Sequence, residues 1–223
     1  MPSPTAAPEP GSAGSRAQRS ADALRELIAD GALAPGDRLR EAELAARLDV
    51  SRNTLREAFR MLSQEGLISQ IPHRGALVAI PTAASIVDLF RVRRLVECQA
   101  VREASPSHPA VALMRDAVES ATGARERGDW RGVGSSNLAF HAAVVSLTDS
   151  PRLAHLYRQL AAELRLSFGL VDDPARLYAP FLDRNAEILH RLEAGEPDAA
   201  ASALEDYLVA SERILLAAHE RPA

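Results

Sequence analysis

The stretch Val50–Gly66, VSRNTLREAFRMLSQEG, sets Arg52, Arg56 and Arg60 against Leu55, Ala58, Phe59 and Leu62. The apolar set recurs at helical spacing, so the segment 52–65 is expected to be a helix with one buried and one arginine-bearing face. Ser51 offers an N-cap hydroxyl, and Gly66 stands where a left-handed C-terminal cap belongs. Upstream, Leu24, Leu27 and Ile28 keep helical spacing from Ser20 until Gly31, Pro35 and Gly36 interrupt it, and a second short helix is expected over 41–48. Downstream, LISQI and ALVAI are strand-like runs joined by PHRG, whose Pro72 and Gly75 suit a tight hairpin.

Three helices followed by a hairpin is the order of a winged helix-turn-helix, in which the third helix enters the DNA major groove and the wing lies near the minor groove. Leu55, Ala58, Phe59 and Leu62 would hold that helix against the first two, leaving Arg52, Asn53, Arg56 and Arg60 on the opposite side. Arg52 and Arg56 are one turn apart, a spacing that places two guanidinium forks where they can take guanine O6 and N7 or clamp a phosphate. The helix N-terminus adds free backbone N–H groups for phosphate. In an arbitrary amphipathic helix such arginines would be a solvated face paired with Glu57 or Glu65. The ordered context, with EAELAARLDV before and PHRG after, favours DNA.

The chain of 223 residues is 47% apolar, enough for one large or two small cores, and its formal charge of -4 argues against a polybasic tail. All 26 basic residues are arginine. No apolar run approaches the roughly 20 residues of a membrane span, the start has no signal-peptide pattern, and the single Cys98 cannot form an internal disulfide. A cytoplasmic, nucleoid-associated protein is expected. Residues 1–15 are Pro, Ala, Ser and Gly with one charge, a composition expected to be disordered. Residues 16–80 form the expected winged-helix domain, with 10 Arg against 9 acids, a balance of +1; residues 81–223 hold 16 Arg against 20 acids, a balance of -4. This second part shows no strand pattern. Helical segments are expected at 83–104, 108–127, 130–147, 150–170, 174–194 and 197–218, cut by SPSHP, Gly128, Pro151, Pro174 and Pro197. The fold class is mainly α.

The run GDRLREAELAARLDVSRNTLREAFRMLSQEGLISQIPHRGALVAI resembles the DNA-binding domain of the GntR family of bacterial transcription regulators. That resemblance implies operator contacts by Arg52 and Arg56 and a wing glycine at Gly75, with Arg40 and Thr54 where family members touch phosphate and His73 and Arg74 at the wing. SIVDLFRVRRLVECQAVREA and SNLAFHAAVVSLTDSPRL resemble the FCD effector domain of the FadR-like branch. The implied protein is a homodimeric regulator, a repressor, that binds an inverted-repeat operator in double-stranded DNA. Its operator affinity would change when the helical domain binds a small carboxylate or related metabolite.

Metal-binding members of that family present one Asp and three His to the bundle centre; the matching positions here are Asn137, His141, Asn185 and Tyr207. Asn and Tyr are poor ligands for zinc-like ions, so no metal or other cofactor is expected. A hydrogen-bonding pocket remains, with Arg93 as the anion-binding candidate because family resemblance carries the arginine four residues before the glutamate into the effector site. Each residue also has an ordinary reading: a satisfied His141, an exposed Asn185, a core Tyr207, and Arg93 or Arg94 paired with Glu97 along the helix. Two alternative functions stand beside the sensor. The bundle would serve dimerisation alone, or it would be an enzyme using His141 as a base, for which the sequence offers no triad, phosphate loop or activated cysteine.

Overall fold

A computed structural model describes residues 11–71, 75–171 and 173–220, with side chains described from residue 16 onward. The chain opens with helix α1 (Gly11–Ala29), then β1 (Arg38–Leu39), α2 (Glu41–Arg47), α3 (Arg52–Gln64) and the hairpin β2 (Ile68–Ile71) and β3 (Gly75–Val78). The three strands form one antiparallel sheet in the order β1-β3-β2, with Arg38 opposite Leu77 and Ile71 opposite Gly75. The tip of the wing, with Pro72, His73 and Arg74, lies outside the described residues.

Helix α1 begins at Gly11, inside the stretch expected to be disordered and well before Ser20. Ala17, Ser20 and Ala21 are buried and continue the stripe of Leu24 and Ile28 toward the N-terminus. Small residues hide this stripe from a reading that looks for large apolar side chains. Arg25 fastens α1 to the end of α3: its guanidinium donates two hydrogen bonds to Glu65, at 2.9 and 2.8 Å, and a third to Asp22. Glu65 therefore serves the core and not the arginines of its own helix.

Helix α3 starts at Ser51, whose Oγ accepts from the Thr54 backbone N–H at 3.1 Å, and it ends before Gly66, at φ 74°. Leu55, Ala58, Phe59 and Leu62 are all buried. Their core includes Leu24, Ile28, Leu39, Leu67 and Val78 from the same domain, and also Ala162 and Leu166 from a helix of the second domain.

That second domain comprises α4 (Ala83–Arg93), a π-helical turn (Arg94–Cys98), α5 (Gln99–Arg102), α6 (Pro109–Glu126), α7 (Trp130–Ser146), α8 (Pro151–Phe168), α9 (Pro174–Glu193) and α10 (Pro197–His219). Four of these helices carry proline in the first turn, where a missing N–H costs nothing. His108, Asp129, Ser150 and Asp173 cap the ends of α6, α7, α8 and α9 through side-chain acceptors. The expected segment 83–104 is one continuous rod interrupted by the π turn, a wide i to i+5 loop that periodicity does not announce. Among the described residues no helix is long and apolar enough to cross a membrane.

Candidate nucleic-acid interface and buried polar cluster

On the outer face of α3, Arg52, Asn53, Arg56 and Arg60 are all exposed, while the four apolar residues of the inner face anchor the helix. Thr54 is half-buried, and its hydroxyl lies 2.9 Å from Ser51 Oγ, so the pair caps the helix as well as bordering the outer face. Arg56 donates from Nε to Glu41 Oε2 at 3.0 Å, and Arg40 pairs with Glu43 at 2.9 Å; both pairs are solvent-exposed and weakly held. A groove between α3 and the wing is lined by Arg56, Arg60, Gln70 and Gly75, the last at φ 82° where a side chain would be strained. Gln70 and Glu41 were not singled out in the sequence, because neither strand polarity nor an acid on α2 points to the groove without the fold.

Inside the bundle, Arg93, Asn137, His141, Asn185 and Tyr207, drawn from α4, α7, α9 and α10, are all buried. Asn137 Oδ1 accepts from Asn185 Nδ2 at 2.8 Å and from the Tyr207 hydroxyl at 2.9 Å. His141 Nδ1 lies 2.6 Å from Glu97 Oε2, and Arg93 Nε donates to Glu97 Oε1 at 2.7 Å. The Arg93 charge is thus matched within the chain, as the ordinary reading had it, and Arg93 is no free anion anchor.

Burial works against both charges of this pair, but each ion offsets the penalty on the other. Glu97 holds the Arg93 guanidinium above its ordinary pKa, and Arg93 followed by His141 holds the Glu97 carboxyl below its own. Burial together with Arg93 lowers the His141 pKa despite Glu97, so the imidazole is neutral. The neutral ring donates Nδ1–H to the carboxylate and presents Nε2 as an acceptor. Among the described residues that Nε2 has no hydrogen-bond partner, and neither does Asn185 Oδ1; the Tyr157 hydroxyl lies near enough to feel both Glu97 and Arg93. Tyr157, on α8, carried no sequence signal for this cluster.

This donor set does not fit a transition metal. Asn137, Asn185 and Tyr207 turn toward one another, Glu97 is held by two partners, and only one imidazole nitrogen is left; among the described residues no three of His, Cys, Asp and Glu gather. Burial pushes the Cys98 thiol up to about 11, so it is protonated at neutral pH and no nucleophile.

A winged helix with an arginine-bearing third helix, joined to an α-helical bundle with a polar heart, defines a DNA-binding protein with an attached helical domain. The sequence profile described as "Bacterial regulatory proteins, gntR family" matches residues 16–78, and that of the FCD domain matches residues 88–210. The chain is 30% identical over 190 residues to the "Probable D-xylose utilization operon transcriptional repressor" of Paenarthrobacter nicotinovorans, covering 82% of this chain and 81% of the relative. It is 40% identical to a GntR transcriptional regulator of known structure from Rhodococcus sp. RHA1, with TM-score 0.84 over 91% of this chain and 98% of the other. E. coli McbR/YncC shares the fold at 23% identity and TM-score 0.76, over 90% of this chain and 96% of its own. The chain belongs to the gntR family of bacterial regulatory proteins and carries an FCD domain; it is a DNA-binding transcriptional regulator.

Proposed function

We propose that this regulator is a repressor that binds an inverted-repeat operator as a homodimer in the cytoplasm, and that a small polar metabolite held in the helical domain changes its operator affinity. The observation that carries the reading is the exposed strip of Arg52, Asn53, Arg56 and Arg60 on a helix whose opposite face is locked in the core. Two-fold symmetry would double the few base pairs that one recognition helix reads. The name of the D-xylose operon repressor supports repression as the direction of control. His141 Nε2 and Asn185 Oδ1, unpaired among the described residues, support a hydrogen-bonding metabolite; an organic acid anchored on Arg93 would have to displace Glu97 first.

Selecting fragments of the source genome on the purified protein supplies the operator. Arg52→Ala and Arg56→Ala are each expected to cost about 1–3 kcal/mol of operator binding, with relaxed base preference, in a mobility-shift titration. Full affinity in the double variant at physiological salt would show that another surface reads the DNA. The metabolite would be held without a transition metal: elemental analysis of untagged protein is expected to find none, and a stoichiometric ion lost in His141→Ala would reverse that assignment.

A further inference from the structure

A crevice of about 290 Å³ opens where the end of α1 and its following loop meet the helical domain. It is lined by Leu33 and Pro35 on one side and by the starts of α7 and α9 and the end of α8 on the other. Its size is at the small end of ligand pockets, which run from roughly 300 to 1,000 Å³.

At its base sits the guanidinium of Arg165, 8% exposed. A buried arginine is normally matched by a carboxylate. Among the described residues neither Arg165 nor the neighbouring Arg131 forms an ion pair, although both line the crevice. Arg165 Nη2 donates to the Asp30 carbonyl at 3.1 Å and to the Arg131 carbonyl at 3.5 Å, and Nη1 to the Tyr178 hydroxyl at 3.4 Å; Arg131 donates from Nε to the same Asp30 carbonyl at 2.6 Å. All of these acceptors are neutral, and all three Arg165 contacts are long for a charged donor, which prefers 2.7–2.9 Å.

The slot is shaped for this side chain. A methyl on Gly31, which has φ 70°, would stand 2.8 Å from Arg165 Nε and Nη2, and one on Gly134 would overlap the guanidinium and the Tyr178 hydroxyl. Each domain therefore supplies a glycine to admit one arginine. Around the two cations the walls are apolar and aromatic, with Trp130, Phe168 and Tyr178 on the helical side.

We infer that this interdomain crevice is a binding site for a small aromatic or similarly apolar monocarboxylate, whose charge is taken by Arg165 and Arg131 and whose planar body lies against Trp130 and Phe168. A carboxylate accepts two hydrogen bonds from a guanidinium fork, which neutral carbonyls do not replace. The site is separate from the buried His141 cluster, and its ligand would touch the DNA-binding domain and three helices of the bundle together.

Trp130 is the single tryptophan of the chain and a wall of this crevice, so its fluorescence reports occupancy. The experiment titrates the full chain, without DNA, with benzoate, phenylacetate and 3-phenylpropionate, and with benzamide and phenylacetamide as uncharged counterparts. Its result is therefore independent of the operator reading. A saturable change with at least one carboxylate is expected, with the matching amide at least tenfold weaker.

Arg165→Ala endangers the fold, so the exposed Arg131 carries the charge test. Arg131→Ala is expected to weaken binding about tenfold and Val171→Phe, which narrows the crevice, to abolish it. Three results would each overturn the site: no saturable change with any of the carboxylates at millimolar concentration, equal binding of acid and amide, or unchanged affinity in both variants.

Discussion

Glu163 on α8 shows how one side chain carries a pH dependence across the seam between the domains. Its half-buried carboxyl is pushed up to about 7, first by burial and then by the negative charges of Glu65 on α3's end and Asp88 on α4. A folded-state pKa above the ordinary 4.5 means that the folded chain holds this proton more tightly than the unfolded chain does. Stability therefore falls as pH rises from 4.5 to about 7, and above that the charged form remains a standing penalty. Glu163→Gln is expected to raise the melting temperature at pH 8 and to change it little at pH 5, by thermal denaturation in the two buffers. A constant difference at both pH values would assign the effect to packing. His141 behaves in the opposite sense: its pKa is lowered by burial, so its contribution is lost on acidification below the ordinary 6.5.

At the scale of elements, α7, α8 and α9 approach closely because Gly134 on α7 faces the Arg165 side chain from α8 and the Tyr178 hydroxyl from α9. Gly134→Ala adds a methyl where no space exists, and helix separation is expected to cost about 1–3 kcal/mol of stability in denaturant unfolding even though Ala is the better helix former. The helix ends were legible in sequence because they are written locally: Ser51 and Gly66 frame α3, and Pro109, Pro151, Pro174 and Pro197 open four bundle helices. The two-residue β1 and the π turn were not, since neither has a period of its own. The polar cluster was partly legible. Asn137 and His141 share a face by spacing alone, whereas Glu97 as the centre of the network depends on the π turn lying beside α7, and Tyr157 comes from yet another helix. Arg165 and its two glycines are separated by more than a hundred residues at the extremes, and nothing short of the fold joins them.

For the whole molecule, the boundary near residue 80 separates the two sequence profiles and two hydrophobic cores, and α8 bridges it. Ala162 and Leu166 of α8 are both buried in the same cluster as Leu24, Ile28, Leu55 and Phe59, and Arg165 reaches back to the Asp30 carbonyl. The bundle thus completes the interior of the winged helix, while its own core is built from residues 86 onward. Calorimetry is therefore expected to record a single endotherm for the full chain, with equal calorimetric and van't Hoff enthalpies, in place of two separable ones. Two resolved transitions would mean that the α1–α8 seam contributes little. An excised reader ending at residue 80 would present to water the patch that α8 covers, so it is expected to self-associate at concentrations where the intact chain stays dispersed. The folded bundle thereby keeps an apolar flank of the reader out of water.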